Sequence, residues 1–96
     1  MPHYVSLIKW TDQGIKNARE SPKRADAAKS LVEQMGGKMQ LFYTMGEYDA
    51  VALTEAPDDE TVFQVLVQLG GQGNVRTTTM KAWTVEEATR VFAKLR

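Results

Sequence analysis

The chain has no cysteine among its 96 residues, which excludes disulfides, thiolate metal sites and cysteine nucleophiles together. It has a single histidine, His3. A metal site would rest on carboxylates and that one imidazole, and no Ser-His-Asp or Cys-His set can be assembled with any specificity. Net charge is absent too, because 12 Lys and Arg offset 12 Asp and Glu. A neutral domain has no electrostatic footprint for DNA, RNA or an anionic membrane, so neither nucleic acid nor membrane is expected as a partner. No run approaches the roughly 18 apolar residues of a membrane span. Met1-Pro2-His3-Tyr4-Val5 passes straight into a strand pattern with neither a basic nor a long apolar segment before it. A soluble cytoplasmic protein is the expectation. The length suits one small domain, residues 1–96, with one core.

What is present centres on Leu41 to Leu53, two short apolar runs flanking Gly46-Glu47. A Gly-X pair between strand-like runs predicts a two-residue type II′ turn, since the first turn position needs a positive φ. Tyr48 and Asp49 would then open a central strand, where packing alone would favour Val or Ile.

The remaining elements follow from periodicity and punctuation. Tyr4 to Trp10 reads as the first strand, and Thr11-Asp12-Gln13-Gly14 breaks it. Residues 15–20 carry no clear period and read as an irregular turn or a short helical piece. Ser21 as N-cap and Pro22 at the first helical position start a helix. Its apolar face is Ala28, Leu31, Val32 and Met35, and Gly36-Gly37 ends it. Strands two and three run from about Lys38 to Met45 and from about Tyr48 to Thr54. Ala56 to Glu60 starts a second helix, with carboxylates where the dipole favours them. Val62, Val65, Leu66 and Leu69 repeat the spacing until Gly70-Gly71. A Thr-rich fourth strand spans Asn74 to Trp83, and the capping box Thr84-Val85-Glu86-Glu87 starts a third helix with Ala88, Val91, Phe92 and Leu95 on one face.

The order β-α-β-β-α-β plus a terminal helix is α+β and ferredoxin-like: an antiparallel sheet with two helices on one face and strands one and three in the centre. Both faces of the sheet carry apolar groups, Val5 and Leu7 on one side of the first strand, Tyr4, Ile8 and Trp10 on the other. Helices are available for one face only, with the third helix a candidate to cover part of the other. A partner subunit packed sheet to sheet, as a two-fold homodimer or part of a higher homo-oligomer, is therefore expected.

Several motifs resemble the GYD domain family, small and largely bacterial proteins without a settled activity. They are Gly46-Glu47-Tyr48-Asp49, Trp10-Thr11-Asp12-Gln13-Gly14, Ser21-Pro22-Lys23-Arg24, Gly36-Gly37 and Gly73-Asn74-Val75-Arg76-Thr77. The resemblance implies a ferredoxin-like fold of the dimeric α+β barrel type. It implies little chemistry, because folds of this kind host oxygenases, isomerases and ligand sensors alike.

The candidate catalytic residues are Asp49, Tyr48 and His3. Adjacent strand residues point to opposite faces, so Tyr48 and Asp49 cannot act as a direct pair on one substrate. Asp49 is equally suited to bonding turn amides, and His3 to facing solvent. The candidate ligand-binding residues are Tyr43, Trp10, Ile8, Arg24 and Arg76. Arg24 sits in a first helical turn, against the dipole, which suggests an ion pair or an anion contact. Arg76 is a second candidate fork for a carboxylate. Asp12, Glu47 and Asp49 are available as ion-pair partners for either. Trp10 and Trp83 end strands and are candidates for one shared rim. Gly70-Gly71-Gln72-Gly73 leaves a helix and enters a strand, so it is no phosphate cradle, and no motif calls for a cofactor or a metal. Two functions fit these residues. One is a small organic molecule bound in a cleft at the open sheet face, walled by Ile8, Leu41 and Phe42. An enzyme there would do cofactor-independent proton transfer, with Asp49 or His3 as base. The other is a non-catalytic module that senses a metabolite or acts only through oligomerisation.

Overall fold

The computed structural model describes residues 1–96 and places the elements in that order. Strand β1 (His3–Trp10) leads into a short helix α1 (Asp12–Lys16), one 3-10 turn (Ala18–Glu20) and helix α2 (Ser21–Gln34). Strands β2 (Lys38–Tyr43) and β3 (Ala50–Glu55) form a hairpin, followed by helix α3 (Asp59–Gly71), strand β4 (Val75–Ala82) and helix α4 (Val85–Phe92). All pairings are antiparallel and the strand order is β2-β3-β1-β4, so β1 and β3 are central. The fold is α+β and ferredoxin-like.

The helix termini follow local chemistry with one exception. Asp58 caps α3 by accepting from the Thr61 amide, and Thr84 and Glu87 form the reciprocal capping box of α4. Ser21, however, does not cap α2. The 3-10 turn runs directly into the helix, so Ser21 already has helical angles and Glu20 stands at the cap without a side-chain bond. The hairpin also differs from the expected two-residue turn. Thr44 N–H donates to Asp49 O at 3.0 Å, which closes a four-residue loop, Met45 to Tyr48. Gly46 adopts the positive φ (105°) within it.

One sheet face carries the core. Tyr4, Ser6 and Ile8 of β1, Ala50 and Ala52 of β3 and Met39 of β2 pack beneath Ala28 and Val32 of α2 and Val62 and Val65 of α3. The two alanines are the small residues that let the helices approach. Tyr4 is buried, and its hydroxyl donates to Asp59, which Lys81 also approaches at 3.1 Å. Burial, then the Asp59 carboxylate, pushes the Tyr4 pKa up to about 12.

The other face has no helix over it. Phe42, Val51 and Leu7 form one cross-strand row, and Leu53, Val5 and Met80 the next. Phe42, Leu53 and Met80 are 50%, 44% and 46% exposed. Helix α4 does not cover them and buries no residue of its own, leaving Phe92 and Leu95 64% and 74% exposed. The radius of gyration, 14.6 Å, exceeds the ~12.5 Å usual for this length, as expected of an extended rather than a closed shape.

Candidate functional site

Two motifs far apart in sequence meet at the C-terminal end of β1. Thr11 N–H donates to Asn74 O at 3.0 Å, Thr11 Oγ1 to Gly73 O at 2.6 Å, and Gln13 Nε2 to Asn74 Oδ1 at 3.0 Å. Gly14 is buried in this corner, where a Cβ would stand 1.9 Å from the Asn74 carbonyl oxygen. No side chain larger than hydrogen fits.

Beside this corner a cavity of about 60 Å³ lies between α2 and the sheet. Ile8, Leu41, Ala28, Leu69 and Val75 give it apolar walls, and Trp10, Ser21, Arg24, Tyr43 and Asn74 line its polar end. The Trp10 and Tyr43 rings are 6.4 Å apart, and the Ser21 and Tyr43 hydroxyls are hydrogen-bonded at 2.8 Å. Arg24 Nη1 donates to Asn17 O at 3.2 Å, while Arg24 Nη2 is buried with no hydrogen-bond partner. A second gap of about 50 Å³ adjoins it deeper under the helices, sharing Ile8, Ala28 and Leu41. Four of the residues singled out from sequence, Ile8, Trp10, Arg24 and Tyr43, therefore come together on the helix-covered face.

The other four do not join them. Asp49 Oδ2 accepts from Trp10 N–H at 2.8 Å while Asp49 N–H donates to Ile8 O at 2.8 Å. Its carboxylate thus stands in for the next carbonyl of the ladder, which is why β3 begins at Ala50 and not at Tyr48. Tyr48 lies in the loop, with Lys9 Nζ 5.2 Å above its ring. Tyr48, Arg76, Lys9 and Leu7 share a shallow depression at one end of the sheet. Arg76 donates to Gly70 O and Val75 O. Neither arginine has a carboxylate partner: Glu47 pairs with Lys9 instead, and Asp49 is occupied by Trp10. His3 sits at the other end of β1, roughly 23 Å from Trp10 by strand rise, between Glu55 (3.4 Å) and Glu87 (3.6 Å). The Thr84 amide and then its hydroxyl hold the Glu87 carboxyl below its usual range, with His3 contributing. Trp83 follows β4 at that same end, so the two tryptophans share no rim. No group of three His, Asp or Glu side chains is arranged so that it could hold a metal ion.

Ser21 and Asn74 were missing from the set chosen by side-chain type. A signal for Ser21 was available. The apolar stripe of α2, continued towards its N-terminus at helical spacing, runs through Ala28, Ala25, Arg24 and Ser21, and all four line the cavity. A buried stripe that turns polar at its end marks a lined pocket.

No helix is long and apolar enough to cross a membrane. The protein described as glutamine synthetase and cystathionine beta-lyase binding protein, from Thermus thermophilus, is 30% identical over 89 residues, 91% of this chain and 94% of its own length. The crystal structure of TTHA0845 from the same organism has the same fold, with a TM-score of 0.56 at 24% identity over 88% of this chain and 96% of that one. The family model described as GYD domain matches residues 4–92. Across nearly its whole length, the chain belongs to the GYD domain family.

Proposed function

We propose that this chain is a non-catalytic, homo-oligomeric module that docks on other proteins, with the open sheet face as the seam between two copies. The uncovered face carries the argument. A monomer of 10.8 kDa ordinarily exposes about 5,500 Å². This chain exposes 6753 Å². The surplus exceeds the ≈ 800 Å² that each partner buries in a standard interface. Dispersal of His3, Tyr48 and Asp49 over both ends of the sheet supports a role other than catalysis. The relative's name supports protein docking, and we extend to this chain a partner of that kind, a metabolic enzyme of the cytoplasm. A small-molecule function finds its support on the opposite face, in the cavity, and the two surfaces share no residue.

Sedimentation velocity at micromolar concentration tests the seam. The wild type is expected at dimer mass or above and Leu53→Glu at monomer mass, because each copy would bury an unpaired carboxylate. A monomeric wild type overturns the seam. Titration of the oligomer with purified glutamine synthetase and cystathionine beta-lyase tests docking. Binding to neither overturns it.

A further inference from the structure

We infer that the cavity beneath α2 is a binding site for a short aliphatic monocarboxylate, anchored by Arg24. The inference is independent of protein docking. It starts from a guanidinium that the fold leaves incompletely paired. Arg24 lies in the first turn of α2, where the dipole disfavours a cation, and its one bond goes to a backbone carbonyl. Nη2 is buried without an acceptor, although its five N–H donors make arginine the side chain best matched to a carboxylate fork. An unpaired buried donor is costly, and a bound carboxylate removes that cost.

The surroundings select the rest of the ligand. The Ser21–Tyr43 pair has two hydroxyl protons and uses one between them, so one remains to donate to a second carboxylate oxygen. Beyond these groups the walls are Ile8, Leu41 and Leu69, which take an alkyl group and not further charge. Size follows from volume. A single water needs roughly 10–15 Å³ on this measure, so about 60 Å³ takes about four to six heavy atoms. Propionate, butyrate and lactate lie within that range. Inorganic phosphate would fit by size but would set charged oxygens against the apolar walls. The α2 N-terminus has no side-chain cap, which adds to the preference for an anion.

The test is titration of the Trp83→Phe protein, in which Trp10 is the sole indole, with propionate, lactate and phosphate, read by Trp10 fluorescence and ¹H–¹⁵N shifts. Saturable millimolar binding of propionate or lactate is expected, with shifts at the Trp10 indole and Arg24 and at least tenfold weaker phosphate binding. Arg24→Gln should weaken the carboxylate at least tenfold. Ala25→Leu fills the cavity and keeps the guanidinium, and should abolish binding while the unfolding midpoint stays near wild type. Absence of saturable binding, phosphate binding as tight as propionate, or a folded Arg24→Gln that binds unchanged overturns the assignment. Should Arg24→Gln fail to fold, Ala25→Leu decides: retained binding overturns it.

Discussion

Gly14→Ala adds one methyl group at a place where the structure has no room for it. The Cβ would stand 1.9 Å from Asn74 O and 2.9 Å from Asn74 C, both backbone atoms, so no side chain can swing away. The corner must open by about 1.5 Å, the displacement needed to restore an ordinary contact of 3.4 Å, and the bonds from Thr11 to Asn74 O and Gly73 O go with it. Two hydrogen bonds contribute about 1–3 kcal/mol together. Overpacking adds about 1–3 kcal/mol. The better helix propensity of Ala in α1 returns about 1 kcal/mol. The net destabilisation is about 3 kcal/mol, which lowers the melting temperature of a domain this size by roughly 12–24 °C. The assay is thermal and urea unfolding by circular dichroism at matched protein concentration, because self-association would add to the apparent stability. Gly70→Ala is the internal contrast. Nothing lies within 4 Å of its Cβ and it is helical, so the same change there should stabilise by about 0.5–1 kcal/mol. If Gly14→Ala falls within about 1 kcal/mol of wild type, or both glycines respond with the same sign, the reasoning fails.

Asp49→Ala leaves Trp10 N–H without its acceptor and should cost about 1–3 kcal/mol, while Asp49→Asn keeps an oxygen there and should cost less than half as much; equal losses in urea unfolding would refute the staple. Tyr4 has its pKa raised from 10.0 to about 12, so the neutral hydroxyl is what the fold favours. The corresponding stability is fully present below pH 10 and is lost as pH rises through about 12, and Tyr4→Phe should remove that alkaline loss. An unfolding midpoint that falls with pH as steeply in Tyr4→Phe as in wild type would refute this. Thr84→Ala removes the capping box of a helix that buries no residue. Amide exchange over Val85–Phe92 should speed up about fivefold, the equivalent of ~1 kcal/mol, with the global unfolding midpoint unmoved. A falling midpoint would show that α4 is part of the cooperative unit.

Much of the fold was legible because each element carried its own period and its own terminator. The stripe Ala28-Leu31-Val32-Met35 and the box Thr84-Glu87 are local signals, and the structure uses both. The failures share one cause. The hairpin length depends on Asp49 finding Trp10 N–H, 39 residues away in sequence, and no alternation pattern contains that contact. Ser21 has the composition of a cap, but the preceding 3-10 turn and the Tyr43 hydroxyl give it another use. The candidate site divided for a related reason. Selection by side-chain chemistry groups His3 with Asp49 and Tyr48, whereas position along β1 separates them by most of a strand. As a rule about position, strand alternation puts Ile8 and Trp10 on one side of β1 but does not say which side the helices cover. The cleft expected at the open face with Phe42 as a wall is therefore replaced by a cavity under α2 that holds Ile8, Trp10, Leu41 and Tyr43 and leaves Phe42 on the other face.

That rule also explains why the corner at Gly14 bears on both surfaces at once. In β1, Ile8 and Trp10 face the cavity while Val5 and Leu7 face the open side. A slip of one residue would exchange the two sets and undo both surfaces together. The register is held at the end of β1 by the bonds from Trp10 to Asp49 and from Thr11 to Asn74. Arg24 and Leu53 lie on opposite sides of the sheet and share no partner, so Arg24→Gln and Leu53→Glu should each disturb one surface and add without coupling. Gly14→Ala displaces Asn74 at the rim of the cavity and touches nothing on the open face, yet by loosening the register it should weaken self-association as well as carboxylate binding in the same protein. A Gly14→Ala variant that remains folded with self-association intact would mean that something other than this corner sets the register of β1.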